Sequence, residues 1–272
     1  MEEISLLKDR HIVLGVTGSV AAYKAVDLAS KLTQAGASVH VIMTEAAQQF
    51  VTPLLFRSVT GHAALIDMWQ LDDHVQHVQL GEQADLLLLA PATANTIAKL
   101  AHGLADNLLT VTALAARCPV LLAPAMDGGM FEHPATQENL AVLNDRGVTI
   151  VGPAEGRMAS GLIGLGRMSE PDELLASVRL ELAAGGPLAG QKVVVTTGPT
   201  REHLDPVRFI SNRSTGKQGL AVAQAALDAG ADVTLISGPI CEEAPFGVKL
   251  INVESTDEMG KATCKSIKDA DA

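Results

Sequence analysis

Asp85-Leu86-Leu87-Leu88-Leu89-Ala90-Pro91-Ala92-Thr93-Ala94-Asn95-Thr96 is the stretch whose reading decides the fold. Leu86 to Ala90 is an unbroken apolar run. A strand with one wet face would alternate apolar and polar residues, so a run without alternation describes a strand covered on both sides, as in a parallel sheet between helices. Pro91 has no N–H for the ladder and is expected to stop the strand there. The residues after it are small or hydrogen-bonding, and Ile97, Leu100, Ala101 and Leu104 then recur at helical spacing. The polar cluster therefore falls at the carboxyl end of a central strand, where open α/β sheets receive their ligands. A capped strand–helix turn accounts for the same residues, and this stretch alone does not separate the two.

Working outward, the same unit repeats. Ile12 to Val16 is an apolar strand that ends in Thr17-Gly18-Ser19. The helix after it carries Lys24, Asp27, Lys31 and Gln34 on a polar face, with Ala25, Leu28, Ala29 and Leu32 inward and Gly36 at its end. Val39 to Met43 is the next strand, and Thr44 opens a helix at its carboxyl end. A strand, a Gly/Ser turn and a helix can cradle a phosphate, although Gly15 and Gly18 lack the full dinucleotide fingerprint and a tight βα turn explains them equally. From Thr44 to Trp69 the pattern is irregular. His74 and His77 follow, just ahead of the Leu86 strand. Pro119 to Ala123 is a further strand, ending in Pro124-Ala125-Met126-Asp127. A helix (Ala135 to Arg146) and a short strand (Val148 to Val151) come next. Gly156 to Met168 is rich in glycine without hydrophobic periodicity, which reads as a mobile loop or lid.

The chain has 272 residues, 47% hydrophobic but only 3% aromatic, so its core is aliphatic and fits α/β architecture. Its formal net charge of −11 argues against nonspecific nucleic-acid binding, and any phosphate must be held locally by N–H groups and helix ends. The three cysteines, Cys118, Cys241 and Cys264, show neither disulfide-framework nor metal spacing. Met1 to Arg10 has no signal-peptide character and no apolar run approaches the ~18 residues of a membrane span, so a cytoplasmic protein without membrane contact is expected. Ala183 to Gly190 reads as a linker. This gives one domain over 1–182, a linker over 183–190 and a second α/β domain over 191–272. In the second, Val193 to Thr196 and Val233 to Ile236 are strands, and Asn212-Arg213-Ser214-Thr215-Gly216-Lys217 leads into a helix (Leu220, Ala223, Leu227). Two or three strands make a thin core, and this part is read as the incomplete start of a domain that needs further sequence or an oligomeric partner.

Several motifs together carry a resemblance. Gly18-Ser19-Val20-Ala21-Ala22-Tyr23-Lys24, Met43-Thr44-Glu45, Pro91 to Thr96, Ala105-Asp106-Asn107 and Pro124-Ala125-Met126 resemble the flavin-dependent cysteine decarboxylase family. With Gly198-Pro199-Thr200-Arg201-Glu202 and Asp205 to Lys217 added, the whole chain is similar to the fused decarboxylase–ligase flavoproteins of coenzyme A biosynthesis. The resemblance implies a Rossmann-like flavoprotein domain with a parallel sheet, followed by the start of a second Rossmann-like domain. FMN would sit on Gly18, Ser19 and Val20, with Thr44 near its phosphate. Thr93, Ala94, Asn95 and Thr96 would hold the flavin, with Ala125 close by. The substrate implied is 4′-phosphopantothenoylcysteine, and the flavin serves as the electron sink that lets its carboxylate leave. The family histidine falls on His77, as base or as partner to the carboxylate.

Two positions depart from the family. Asp127 stands where an Asn is usual, and an ionised Asp accepts hydrogen bonds but cannot donate one to a carboxylate. Either it is protonated in the closed site or it contacts a different group. Ser160 stands where the family has a proton-donating Cys, and a hydroxyl is a far weaker acid than a thiol near ~8.5. For the second domain the resemblance implies a CTP- and Mg-dependent ligase with Asn212 near the acyl-nucleotide intermediate. The family's later nucleotide-binding motifs are absent from these 272 residues, so ligase activity is not expected of them. A trimer-based homo-oligomer, with a dodecamer as the larger particle, is implied by resemblance only. Flavin prenyltransferases share the fold but lack a ligase-like segment. A non-catalytic regulatory or assembly flavoprotein fits Asp127 and Ser160 but not the retained His77.

Overall fold

The computed structural model describes residues 6–69, 76–158, 161 and 163–272, apart from the side chains of residues 76 and 77. It divides into two compact units, the first running to Val178 and the second Arg179–Ala272.

In the first unit the elements run β1 (His11–Val16), α1 (Ala22–Gln34), β2 (Ser38–Met43), a 3-10 turn (Glu45–Gln49), α2 (Pro53–Thr60), α3 (Gln76–Gln83) and β3 (Leu86–Ala92). Then come α4 (Ala94–His102), α5 (Leu108–Ala115), β4 (Val120–Pro124), α6 (Gly128–Phe131), α7 (Pro134–Asp145), β5 (Thr149–Ile150), β6 (Ala154–Arg157), β7 (Ile163–Arg167) and α8 (Pro171–Ala183), whose residues from Arg179 on count with the second unit. Five strands form one parallel sheet in the order β2-β1-β3-β4-β5. The central strand β3 is buried at every position, as its uninterrupted leucines require. From β1 the chain builds outward to β2 on one side and to β3, β4 and β5 on the other. The order therefore reverses between β1 and β3, which places a ligand crevice at the carboxyl ends of these two strands.

Several expectations are corrected. Pro91 does not end β3. The strand runs on to Ala92 across a register shift that follows Leu89, and Ala92 then pairs with Pro124. A residue without an N–H is tolerated where the ladder is already irregular. Lys24 does not belong to the wet face of α1. It is 5% exposed, because its ammonium finds partners inside, whereas Ala25, Leu28, Ala29 and Leu32 are buried as read. Beyond β2 a 3-10 turn and α2 replace the irregular segment, and α2 has Pro53 at its start and Gly61 in the left-handed region (φ 78°) at its end. Helix α4 stops at His102, so Leu104 lies beyond it and is exposed. Within Gly156 to Met168, the described residues contribute to an antiparallel hairpin of β6 and β7, not an irregular lid.

The second unit contains β8 (Lys192–Thr197), β9 (Arg201–His203), β10 (Phe209–Ser211), α9 (Lys217–Asp228), β11 (Asp232–Ser237), β12 (Lys249–Asn252) and α10 (Thr256–Ser266). Strands β12-β11-β8 form a parallel sheet, and β9 pairs with β10 in a small hairpin. Val195, Ala223, Leu227, Val233 and Leu235 make its aliphatic core. Within this unit Arg179 donates to both carboxylate oxygens of Asp228, at the end of α9. Among the described residues no helix is long and apolar enough to cross a membrane.

Candidate functional site

Four loops meet at the carboxyl edge of the first sheet, and hydrogen bonds between them fix their relative positions. The β1 loop meets the β3 loop through Thr17, whose N–H donates to the Pro91 carbonyl at 3.3 Å. The Thr17 hydroxyl donates to that same oxygen at 2.7 Å and accepts the Thr93 N–H at 3.1 Å. The β2 loop joins β1 where the Thr44 N–H donates to the Val16 carbonyl at 3.0 Å. It also packs so closely on Gly18 that a Cβ there would lie 2.5 Å from the Ala46 methyl. The β4 loop joins β3 through the Ala125 N–H, which donates to the Ala92 carbonyl at 3.0 Å.

This arrangement brings together Gly18, Ser19, Val20, Thr44, Thr93, Ala94, Asn95, Thr96 and Ala125, all named from sequence. Their local chemistry differs. Thr44 caps the 3-10 turn by accepting the Ala47 N–H at 3.3 Å. Thr93 caps α4, accepting the Thr96 N–H at 3.4 Å and donating to the Thr96 hydroxyl at 3.2 Å. Both threonine hydroxyls of that pair are therefore largely spent within the protein, and Thr96 is buried. Asn95 is exposed at the start of α4, where the first-turn amides have no intrahelical acceptor. In the β1 loop, Ser19 Oγ accepts the Ala21 N–H at 3.3 Å, while the amides of Gly18 and Val20 meet no acceptor among the described residues. Free amides on a glycine turn and at a helix start are the donor set that an anionic group such as a phosphate needs.

Beside these loops lies a cleft of about 590 Å³, lined among others by Ser19, Val20, Lys24, Ala125, Asp127 and Arg167. Its far wall is the β6–β7 hairpin. The Met126 N–H donates to the Gly166 carbonyl at 3.0 Å, which fastens β7 to the turn after β4. Asp127 caps α6, its Oδ1 accepting the Gly129 N–H at 3.2 Å. Lys24 donates to the Met168 carbonyl at 2.9 Å and to Glu170 Oε1 at 3.0 Å. The Lys24 ammonium, seconded by Arg167, holds the Glu170 carboxyl below its ordinary range.

Three of the sequence-named histidine and serine positions cannot be joined to this geometry. His77 falls in the first turn of α3, but its side chain lies outside the described residues, as do His74 and Ser160. Sequence reasoning also missed Thr17. Its only signal is a hydroxyl at the end of an apolar strand, one residue ahead of a glycine.

In the second unit Asn212 Oδ1 accepts the Ser214 N–H at 2.8 Å, and Lys217 opens α9 with Glu242 3.5 Å away. Arg201, Glu242, Asn252, Glu254 and Glu258 help line a cavity of about 510 Å³ beside the ends of β11 and β12. Asn212 is not among its lining residues.

A doubly wound sheet with an amide-rich crevice at its switch point defines a class, and the chain belongs to it: residues 2–182 match the Flavoprotein family. Residues 188–272 match the C-terminal domain of the DNA/pantothenate metabolism flavoproteins. Over 270 residues the chain is 46% identical to the coenzyme A biosynthesis bifunctional protein CoaBC of Bacillus subtilis, covering 97% of this chain and 66% of that one. It is 47% identical over 262 residues to the CoaBC protein of Vibrio cholerae, covering 95% and 65%. The chain thus spans about 66% of the length of such relatives. A solved PPC decarboxylase mutant complexed with pantothenoylaminoethenethiol superposes with a TM-score of 0.58 at 34% identity, over 64% of this chain and 98% of that one. The FMN binding protein AtHal3 does so with a TM-score of 0.56 at 33% identity, over 64% and 96%.

Proposed function

We propose that the first unit is an FMN-dependent decarboxylase that converts 4′-phosphopantothenoylcysteine to 4′-phosphopantetheine in coenzyme A biosynthesis. The observation that carries this reading is the convergence of the β1, β2, β3 and β4 loops around unpartnered amides at the sheet's switch point. The relatives' names and the solved decarboxylase support the choice of reaction. Gly18, Ser19, Val20 and Thr44 would receive the phosphate end of FMN, and Thr93 to Thr96 with Ala125 would hold the flavin. When bound, FMN supplies a two-electron sink next to the departing carboxylate.

The chain's own groups bind and orient. Backbone N–H groups of the β1 loop, which itself carries no lysine or arginine, would receive the phosphate through their dipoles. The His77 imidazole would hold or move the proton at the substrate's reacting end. Asp127, used as a cap, positions the α6 turn at the cleft floor. Ser160 is a poor proton donor, so protonation of the product falls to another group or to water. The protein is read as a cytoplasmic homo-oligomer built on trimers, up to a dodecamer. Asn212, with CTP and Mg, belongs to ligase chemistry for which the second unit supplies one part.

One anaerobic incubation of FMN-loaded protein with 4′-phosphopantothenoylcysteine tests the reading, by mass spectrometry of the product and absorbance of the flavin. Loss of CO₂ with oxidised flavin restored is the expected result. Loss of CO₂ with the flavin left reduced would mean that an enethiol is the final product. FMN bound without any loss of CO₂ would overturn the enzyme reading in favour of a regulatory flavoprotein.

A further inference from the structure

We propose that Thr17 is a positioning residue for the flavin: its hydroxyl locks the β1 loop to the β3 loop and thereby sets the spacing of the two segments that hold the cofactor. This rests on the flavin reading of that site. Thr17 is 1% exposed, so its hydroxyl has no water to fall back on. It both donates, to the Pro91 carbonyl at 2.7 Å, and accepts, from the Thr93 N–H at 3.1 Å. A hydroxyl can do both at once; the isosteric valine can do neither.

The consequences run in both directions along the chain. On the β3 side, the bond fixes the Thr93 N–H and leaves the Thr93 hydroxyl to cap α4 at the Thr96 amide. The start of α4 is thus aimed by Thr17. On the β1 side, the Thr17 carbonyl accepts the Ser19 N–H at 2.9 Å, which shapes the turn carrying the unpartnered Gly18 amide. One buried side chain therefore sets two loops whose residues would grip opposite parts of one molecule. A shift of the β1 loop would misplace amides that must reach a phosphate within hydrogen-bond distance, and a shift of the β3 loop would misplace the residues that hold the flavin.

The test compares T17V, T17S and the wild-type protein by FMN titration, by the visible spectrum of bound FMN, and by amide exchange at Thr93. T17V is expected to bind FMN roughly tenfold more weakly or worse, with an altered spectrum, while T17S stays within about threefold of wild type. The Thr93 amide is expected to be protected in wild type and T17S and exposed in T17V. A T17V protein with wild-type affinity and spectrum would overturn the proposal, as would a T17S protein as impaired as T17V. Should T17V fail to fold, rapid exchange of Thr93 in the wild-type protein would overturn it. Wild-type protein that binds no FMN would overturn the flavin reading itself, an outcome distinct from T17V binding as wild type does.

Discussion

Lys24 and Glu170 form an ion pair at 3.0 Å in which one partner is 5% exposed and the other half in solvent. The buried ammonium also takes the Met168 carbonyl at 2.9 Å, so α1 is fastened to the end of β7 by a cation that the helical period places among polar, outward positions. Replacing Lys24 by Met keeps the length of the chain and removes both bonds. Hydrogen bonds to charged groups are worth about 1.5–3 kcal/mol, and the exposure of Glu170 puts this case toward the lower end. K24M is expected to cost about 2 kcal/mol of stability, read as a lower urea midpoint with an unchanged m-value. A loss below ~0.5 kcal/mol would mean that the fastening is incidental.

His40 stacks on His62 with ring centroids 4.4 Å apart and lies 6.4 Å from His11. Burial, and after it the charges of His62 and His11, pushes its pKa below the ordinary imidazole value of 6.5. The unfolded chain therefore takes up this proton first as pH falls. The contribution to stability is complete above about pH 6.5 and declines as pH falls toward the folded value. Urea midpoints at pH 7.5 and pH 5 should diverge more for wild type than for H40Q. Equal divergence in both proteins would refute a His40 origin.

Asp127 serves α6 through an acceptor oxygen that Asn also possesses. D127N should therefore keep the fold, FMN binding and decarboxylation, whereas D127A should lose about 1 kcal/mol of stability. A collapse of product formation in D127N with FMN still bound would show that the acid is needed as it stands.

Gly166 has φ +144°, and a Cβ on it would lie 2.3 Å from the Met126 carbonyl oxygen. Gly161 has φ +87°, but a Cβ there would meet nothing within 4 Å among the described residues. Both alanine variants carry strain of about 1–3 kcal/mol, and only G166A adds a collision with fixed backbone. Thermal midpoints should fall further for G166A than for G161A. The reverse order would mean that β7 is not held against the turn after β4.

The sheet was legible because its strands announce themselves: Leu86 to Ala90 cannot be anything with a wet face, and Ile12 to Val16 and Val39 to Met43 repeat the message. The loops at the switch point were legible because they follow from strand order. Lys24 was not, since periodicity assigns polar residues to water and cannot see a carbonyl and a carboxylate supplied from Met168 and Glu170, far along the chain. The β6–β7 hairpin was hidden by its glycines, whose backbone freedom takes the place of an alternating pattern. Helix α2 was readable from Thr52-Pro53 and Gly61, a start and stop signal overlooked beside a weak hydrophobic pattern. Thr17 could not be found by type or spacing, because its role exists only once β1 and β3 are neighbours.

The unpartnered amides of the β1 loop have a kinetic corollary. Dipoles act at contact, whereas a net charge of −11 is felt at a distance by an approaching dianion. Ions in solution screen the second and leave the first nearly untouched, since the Debye length falls from about 30 Å at 0.01 M salt to about 10 Å at 0.1 M. Added salt should thus hasten the capture of a phosphorylated cofactor while barely loosening the grip once it has docked, the opposite of what a site built on lysines and arginines would do.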